Sequence, residues 1–230
     1  MEIRPVAHIY TDFPTKFGLP RQSGVVEGLK GEIVFEPYYR NPEGVKGLEG
    51  FSHLWLLWDF SMNHRADWSA TSKPPRLGGK THVGVWATRS PFRPNSIGLS
   101  SVRLDSIEMS ETKGPVLHVS GIDMMDGTPI YDIKPYISLY DSHPDARDGF
   151  VAEVPFSQLT VTDPGALIQK SALTKEQQEA LIKVLQEDPR PRYDADSDGK
   201  RRYGFYYCNY DVRFYVKDGV LEVAEMVPQS

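Results

Sequence analysis

The run Phe51-Ser-His-Leu-Trp-Leu-Leu-Trp-Asp-Phe60 is short, apolar and aromatic, and such a run is typical of a β-strand whose side chains reach the core. We expect Trp55 and Trp58 to be core residues and His53 to be a hydrogen-bonded core histidine. Outward from this run, further strands are predicted at 3–10, 31–36, 81–88, 97–109 and 115–122. Because no amphipathic helices lie between these strands, the pattern predicts an antiparallel sheet or barrel rather than a doubly wound fold.

A different pattern begins near Pro164. Thr174-Lys-Glu-Gln177 predicts a capping box at the start of a helix that stops before Pro189. Strands are then predicted at 203–207, 209–217 and 220–227, with Asp218-Gly219 as a primed hairpin turn. The sequence therefore predicts a mainly β domain over residues 1–160 and a small α+β domain over residues 165–230.

The composition indicates a soluble globular protein, since 40% of the 230 residues are apolar and 25% are charged. The single cysteine, Cys208, excludes an internal disulfide framework and a cysteine-rich zinc site, and it fits a reducing cytoplasm. The longest apolar run, 54–60, is too short to span a membrane, and the N-terminus has no apolar signal core. We expect a cytoplasmic protein with no membrane contact.

Positive charge is concentrated in two places although the net charge is −5. Between Trp68 and Leu104 there is no Asp or Glu, and six cations occur there, namely Lys73, Arg76, Lys80, Arg89, Arg93 and Arg103. A local basic face is what phosphate contact requires, and the alternative is a solvated edge with acidic neighbours in space. The second cluster combines cations with aromatic rings, as in proteins that stack RNA bases, and comprises Arg190, Arg192, Tyr193, Lys200, Arg201, Arg202 and Tyr203. The alternative for Asp188-Pro-Arg-Pro191 is a simple helix stop.

Two segments carry most of the polar chemistry. Gly84-Val-Trp-Ala-Thr-Arg-Ser-Pro-Phe-Arg-Pro-Asn95 leaves a predicted strand and enters a loop stiffened by prolines. Asp123-Met-Met-Asp-Gly-Thr-Pro-Ile-Tyr-Asp-Ile-Lys-Pro-Tyr136 gathers carboxylates, an ammonium and two phenols around a Gly-Thr-Pro turn. The alternative is that both segments are only well-formed turns. Rossmann, P-loop and nucleophile-elbow motifs are missing from the sequence, and its six histidines lack metal-ligand spacing.

At these residues the chain strongly resembles the TrmO (TsaA-like) family of S-adenosylmethionine-dependent tRNA methyltransferases. The resemblance extends nearly end to end, through 20–22, 47–55, 74–79, 84–95, 126–136 and 188–191. It implies a single-sheeted β-barrel with a small C-terminal domain, assembled as a homodimer. The implied reaction is methylation of the N6 nitrogen of threonylcarbamoyladenosine at tRNA position 37, next to the anticodon.

The resemblance also implies which residues hold the cofactor, S-adenosylmethionine, without a metal. They are Pro20, Arg21, Gln22, Ser61, Met62, Arg89, Leu99, Asp123, Met124, Met125 and Asp126. Ser61-Met62 departs from the His-Gln pair that is frequent in the family. A backbone contact to the cofactor would survive this change, whereas a side-chain contact would not.

Substrate roles follow from the chemistry of the implied target. Its N6 nitrogen lies between a purine and a carbamoyl group, so a base within hydrogen-bond reach would activate it, and Asp126, Asp132 and Tyr136 are the candidates. The threonyl carboxylate invites a guanidinium or an ammonium, and Arg93 and Lys134 fit this role. The remaining predicted contacts are Asn95 to a carbonyl or ring nitrogen, Thr128 to the substrate, and Arg190 and Arg201 to the anticodon loop of tRNA.

Two rival interpretations remain open from the sequence. The first is a non-catalytic RNA-binding barrel that reads the modified loop without altering it. The second is a S-adenosylmethionine-dependent enzyme that acts on a substrate other than tRNA. Measured binding of S-adenosylmethionine separates the first rival from an enzyme.

Overall fold

A computed structural model describes residues 2–64, 67–78, 81–154, 158–190 and 199–229. Its strands are β1 (Ala7–Thr11), β2 (Lys30–Phe35), β3 (His53–Asp59), β4 (Thr71–Ser72), β5 (Val83–Gly84), β6 (Ile97–Ser110), β7 (Gly114–Ser120), β8 (Thr128–Pro135), β9 (Thr160–Thr162), β10 (Tyr203–Tyr207), β11 (Tyr210–Lys217) and β12 (Val220–Pro228). Its α-helices are α1 (Ser138–Asp141), α2 (Phe150–Glu153), α3 (Leu167–Lys170) and α4 (Lys175–Gln186). Single turns of 3₁₀-helix cover Pro37–Tyr39, Pro42–Val45, Leu48–Gly50, Ser61–Asn63, Pro75–Leu77 and Val85–Ala87. In the described part of the chain, every helix is too short or too polar to cross a membrane.

Six strands close into one antiparallel barrel in the order β1-β2-β7-β6-β3-β8, with β8 pairing back onto β1. The barrel confirms the prediction of a mainly β fold. Alternate residues along each strand point inward, and on β3 these are Leu54, Leu56 and Trp58. Trp58 is therefore a core residue as predicted.

Two predictions for β3 are wrong, because His53 and Trp55 occupy outward-facing positions. Trp55 is only half-buried, and its indole N–H donates to a carboxylate oxygen of Asp141 at 3.0 Å. His53 is exposed at the start of the strand, and its Nδ1 lies 2.9 Å from the hydroxyl of its neighbour Ser52. One face of this barrel strand meets solvent, so an aromatic run need not be buried on both sides.

The structure also differs from the sequence-based prediction around β5 and β8. The predicted strand 81–88 is reduced to Val83–Gly84, because the chain turns at Val85, whose carbonyl accepts the amide of Thr88 at 3.1 Å. In contrast, the structure has a full barrel strand over residues 128–135, where the sequence suggests a turn and a polar loop. Its inward residues Thr128 and Ile130 are buried.

The C-terminal unit packs a four-stranded sheet, in the order β10-β11-β12-β9, against α4. The capping box at Thr174 and Gln177 is confirmed by reciprocal hydrogen bonds of 3.1 and 3.2 Å. The Asp218-Gly219 turn has positive φ at both residues, as a primed turn requires. The short helix α3 and strand β9 were not predicted, and β9 pairs in parallel with β12.

The two units share one hydrophobic core. Phe13, which follows β1, lies 5.2 Å from the ring of Tyr207 and 6.5 Å from that of Phe205 between ring centroids. The amide of Cys208 donates to the carbonyl of Asp12 at 2.7 Å. The side-chain amide of Gln177 donates to the Asp12 carboxylate, which fixes α4 against the barrel.

Candidate functional site

One end of the barrel, here called the mouth, is where β1, β3 and β7 end and where β2, β6 and β8 begin. Three connections emerge there: 12–29, 60–96 and 121–127. Antiparallel pairing places them together although they are far apart in sequence. These connections and the strand starts next to them carry most of the predicted cofactor and substrate residues, which are Pro20, Arg21, Gln22, Ser61, Met62, Arg89, Arg93, Asn95, Leu99, Asp123, Met124, Met125, Asp126 and Thr128.

The first and second connections meet through Arg89. Its guanidinium donates to the side-chain oxygen of Gln22 in a short hydrogen bond. The first and third connections meet where the amide of Gly24 donates to the carbonyl of Gly121 at 2.9 Å. Arg89 is itself exposed, so its cationic fork stands at the surface of the mouth with its orientation set by Gln22.

Asp123 is the most strongly perturbed carboxyl group of the mouth. Its Oδ1 accepts the hydroxyl of Ser100 at 2.7 Å, and the same hydroxyl accepts the indole N–H of Trp58 at 2.9 Å. Burial raises the pKa of Asp123 to about 6. Hydrogen bonds from Ser100 and the Ser23 amide, together with the charge of Arg89, lower the pKa but do not offset the effect of burial. Asp123 can therefore change its charge near neutral pH, and it lies within electrostatic reach of the Arg89 guanidinium.

The other residues of the third connection differ in whether their side chains or only their backbone atoms are available at the mouth. The Met124 side chain is buried in the core, and its carbonyl accepts the hydroxyl of Thr11 at 3.2 Å, so only its backbone is available at the mouth. The Thr128 side chain is also buried, and its hydroxyl donates to the Met125 carbonyl at 2.7 Å. The burial of Thr128 argues against the predicted substrate contact, and its hydroxyl helps to close the turn. Asp126 is exposed, with Oδ1 accepting the amide of Thr11 at 2.9 Å.

Asp132 lies on the outer face of the barrel near the mouth. Pairing places it beside Leu57, which in turn lies beside Leu99 of β6. Asp132 and the predicted cofactor contact Leu99 are therefore on one face, about 10 Å apart at the usual strand spacing. The ammonium of Lys134 lies 2.8 Å from Oδ2 of Asp132, and this pairing raises the pKa of Lys134.

Tyr136 is not brought to the mouth of the same chain. Its amide donates to the carbonyl of His53 at 2.9 Å, at the opposite end of β3 from Asp59. His53 and Asp59 are six residue steps apart along the strand, which is roughly 20 Å at about 3.3 Å per step. The Tyr136 ring packs 5.5 Å from that of Trp55. Of the three predicted base candidates, the structure brings Asp126 and Asp132 to the mouth region of one chain.

Arg93 has partners of its own within the second connection. Its guanidinium donates to the carbonyl of Thr88 at 2.9 Å and lies 5.4 Å from the ring centroid of Trp86. Arg93 therefore has an ordered position within the second connection. Asn95 is exposed on the same connection, and so are Ser61 and Met62.

The C-terminal cluster is only partly at the surface. Arg190 is buried, with two nitrogens on the two carboxylate oxygens of Asp188 at 2.8 and 2.9 Å. The hydrogen bonds that Arg190 donates to Asp188 raise the pKa of Arg190, and its burial argues against the predicted contact with tRNA. Arg201 is exposed and lies 5.3 Å from the ring centroid of Tyr203. Arg192 and Tyr193 of this predicted cluster lie outside the described residues, as does Lys80 of the first basic cluster.

Comparison with known proteins matches two adjoining family models. The model of the tRNA-methyltransferase O N-terminal domain matches residues 8–142, and that of the TrmO C-terminal domain matches residues 153–229. The chain belongs to the TrmO family. It is 35% identical over 233 residues to an Escherichia coli protein named tRNA (adenine(37)-N6)-methyltransferase, with 99% of this chain and 98% of that protein covered. It is 36% identical over 225 residues to a candidate S-adenosylmethionine-dependent methyltransferase of Pseudomonas aeruginosa, covering 93% and 91% of the two chains. A crystal structure of TrmO from Pseudomonas aeruginosa superimposes with a TM-score of 0.77 at 30% identity, covering 99% of this chain and 98% of that one.

The mouth of this TrmO-family barrel contains a second polar group, formed by Asp59, His64 and Tyr131, which was not predicted from the sequence as part of the site. Asp59 is buried at the end of β3, and its Oδ1 lies 2.7 Å from Nε2 of His64. Tyr131 also hydrogen-bonds Asp59, and burial together with the Asp59 charge raises the pKa of this phenol, which keeps it protonated. Tyr131 is the extra residue of a bulge opposite Leu57 and Trp58. A bulge redirects a side chain, and alternation along the strand does not predict where this occurs.

The TrmO-family models divide the chain between residues 142 and 153. The division at 160–165 inferred from the sequence stays a prediction. No three His, Cys, Asp or Glu side chains of the described residues converge as metal ligands.

Proposed function

We propose that this protein transfers a methyl group from S-adenosylmethionine to the N6 nitrogen of threonylcarbamoyladenosine at position 37 of tRNA, and that it does so as a cytoplasmic homodimer without a metal. Membership of the TrmO family and the name of the Escherichia coli relative support methylation of this adenosine. The observation that carries the proposal is the mouth itself, where Gln22, Arg89 and Asp123 come together from three separate connections.

The groups at the mouth suit a cationic, zwitterionic cofactor. S-adenosylmethionine carries an α-carboxylate, an α-ammonium and ribose hydroxyls. The guanidinium of Arg89 suits the carboxylate, and the Asp123 carboxylate suits the hydroxyls or the ammonium. Exposed Met62 and Leu99 offer apolar surface for the adenine or the thioether. In-line methyl transfer neutralises the sulfonium, so the main task of the site is positioning.

Asp132 and Lys134 link recognition of the substrate to activation of the nitrogen. In the structure without ligands, the ammonium of Lys134 is held 2.8 Å from Asp132. A threonyl carboxylate would compete for Lys134 and leave Asp132 as an available base for the N6 proton. Asp126 remains the alternative base, because it is exposed in the third connection of the same mouth.

The direct test is methyl transfer by the purified protein. Labelled S-adenosylmethionine and tRNA carrying threonylcarbamoyladenosine should give the N6-methylated nucleoside, identified by mass spectrometry after digestion. A protein that binds this tRNA but not S-adenosylmethionine would be the non-catalytic RNA-binding barrel. Binding of S-adenosylmethionine with no transfer to tRNA would indicate a different substrate.

Binding of S-adenosylmethionine is expected to weaken as the pH falls through about 6. The raised pKa of Asp123 means that protonation there removes the accepting charge, so affinity should fall up to about tenfold per pH unit below that value. The Asp123→Asn variant should bind more weakly at pH 7.5 and lose this step in the pH profile. Because the pKa of Asp123 is raised in the folded protein, protonation of this group stabilises the fold below about pH 4. This contribution to stability is lost as the pH rises through about 6. Asp123→Asn should therefore unfold at a higher temperature than the wild type at neutral pH. A pH profile identical to that of the wild type would contradict the assignment.

The C-terminal arginines should give opposite results in a matched pair of variants. Arg201→Ala is expected to weaken tRNA binding and to flatten the logarithmic salt dependence by about 0.7–0.9, because one phosphate contact is lost. Arg190→Ala is expected to destabilise folding by about 3 kcal/mol, since it leaves the Asp188 carboxylate unpaired in a largely buried position. Filter binding at several salt concentrations and thermal unfolding measure the two effects. An unchanged salt slope for Arg201→Ala would remove this residue from the interface.

The homodimer is proposed from the family resemblance, and the position of Tyr136 is consistent with it. Tyr136 lies far from the mouth of its own chain, so a second copy is the means by which it could reach a site. Light scattering at micromolar concentration should give twice the chain mass of 26.0 kDa. A particle of one chain mass at that concentration would contradict the dimer.

A further inference from the structure

Two exposed tryptophans stand together on the second connection of the mouth. The short strands β4 and β5 pair with Thr71 opposite Gly84, and the amide of Val85 donates to the carbonyl of Ala70 at 3.0 Å. This ribbon brings Trp68 and Trp86 together, with ring centroids 5.9 Å apart. Their relative exposures are 51% and 67%, which is unusual for the largest apolar side chain.

Arg93 completes this group. Its guanidinium carbon lies 5.4 Å from the Trp86 ring centroid, within the range of a cation–π contact. The hydrogen bond to the Thr88 carbonyl holds the guanidinium in this place. Because the arginine is held before any ligand arrives, the entropy cost of ordering it on binding is small. An exposed indole pair with an ordered arginine is the surface on which unpaired bases stack.

The charge around the group favours a polyanion. The connection that carries the group is basic in sequence, because 68–96 contains no carboxylate and five cations, namely Lys73, Arg76, Lys80, Arg89 and Arg93. A second copy of the chain is a poorer occupant, since an isologous two-fold contact would set this positive segment against itself. An RNA strand offers both the negative backbone and the flat rings that the tryptophans match.

The position of the group indicates which part of the RNA it would bind. Trp86 precedes Arg89 by three residues, and Arg89 contacts Gln22 across the mouth. We propose that Trp68, Trp86 and Arg93 form a stacking platform for an unpaired base of the anticodon loop that neighbours the methylated adenosine. This inference rests on the proposed function, and it assigns Arg93 to a base rather than to the threonyl carboxylate.

The test uses Trp86→Ala with the conservative Trp86→Phe and a matched control. Tyr38→Ala is the control, because Tyr38 and Tyr39 form an exposed aromatic pair just after β2, at the end of the barrel away from the mouth. Trp86→Ala is expected to weaken binding of a modified anticodon stem–loop about 10- to 100-fold. Trp86→Phe should recover most of this loss, Tyr38→Ala should show none, and affinity for S-adenosylmethionine should stay at the wild-type value in all three variants.

A second series replaces each nucleotide flanking the target adenosine by an abasic residue. One of the two abasic RNAs should bind the wild-type protein with the same low affinity that the intact RNA has for Trp86→Ala. The affinity of this abasic RNA should not fall further when the protein is Trp86→Ala. Additive losses, or wild-type affinity of Trp86→Ala for the intact RNA, would overturn the platform. A change of particle mass for Trp86→Ala in light scattering would instead assign the tryptophans to a subunit contact. If the wild-type protein does not methylate tRNA at all, the proposed function is wrong. If it methylates tRNA and Trp86→Ala has no effect on RNA binding, only the stacking platform is wrong.

Discussion

Arg89→Ala is expected to weaken binding of S-adenosylmethionine about ten- to hundred-fold, which corresponds to the roughly 1.5–3 kcal/mol of a lost charge-assisted contact. The arginine is exposed at the mouth, and its guanidinium is oriented by the side-chain oxygen of Gln22. Its charge also lowers the pKa of Asp123, so its removal should leave less of that carboxyl group ionised at neutral pH. Both changes act against a ligand that needs a cation and a carboxylate together. Titration calorimetry at pH 7.5 measures the effect.

A matched control separates this site effect from a general loss of positive charge. Arg103 is an exposed arginine of β6 that pairs with His53 at the far end of β3 from the mouth, and its Nε lies 3.6 Å from Asp105. Arg103→Ala should leave the affinity for S-adenosylmethionine unchanged. Arg89→Lys should remain weaker than the wild type, because a single ammonium does not reproduce the fork of a guanidinium. Wild-type affinity in Arg89→Ala would show that the cofactor binds elsewhere.

The barrel could be predicted from the sequence because local signals and tertiary packing agree along most of its strands. Val, Ile and aromatic residues alternate in 31–36, 97–109 and 115–122, and all three become barrel strands with small shifts of their ends. The capping box at Thr174 was equally local, since both hydrogen bonds lie within one helical turn. Where one short segment contains all the hydrogen-bonding partners, its local structure can be predicted from the sequence alone.

β8 could not be predicted because its strand character comes from its neighbours. Its sequence holds two prolines, an aspartate and a lysine, which individually favour turns and solvent. Pairing with both β1 and β3 closes the barrel and outweighs these local preferences. The inward positions Thr128 and Ile130 are the only part of the pattern that fits a half-buried strand.

The candidate site divides in the same way. The predicted cofactor residues follow from the family resemblance, and the connections that carry most of them meet at one mouth. Ser100 was missed, although a serine at an inward position between Gly98 and Val102 must find a hydrogen-bond partner, and that partner is Asp123. The burial of Arg190 was not predicted either, because neither its hydrogen bonds to Asp188 nor the left-handed backbone conformation of Asp188 can be read from the sequence. A basic cluster in the sequence does not show which of its members are already neutralised.

Transfer to tRNA that lacks the threonylcarbamoyl group is expected to be slower by at least about a hundredfold. Two effects would be lost together. The carbamoyl group makes the N6 proton acidic enough for a carboxylate to remove, and the threonyl carboxylate is the group proposed to draw Lys134 from Asp132. An unmodified adenosine has neither, so Asp132 would stay paired in an enzyme that still binds S-adenosylmethionine. Single-turnover rates on the two forms of the same tRNA measure this difference.

Lys134→Ala tests the recognition half of this argument separately. The variant should lower the rate on modified tRNA about 10- to 100-fold, as the loss of a charge-assisted contact predicts, with the affinity for S-adenosylmethionine unchanged. On unmodified tRNA the same substitution should not slow transfer, because no carboxylate is present for the lysine to hold and Asp132 is released from its ion pair. Asp132→Asn should instead slow transfer while retaining binding of modified tRNA, since it removes the base and leaves the Lys134 ammonium for the substrate. If Lys134→Ala slowed both substrates equally, the lysine would support the local structure, and the threonyl carboxylate would be recognised by another group.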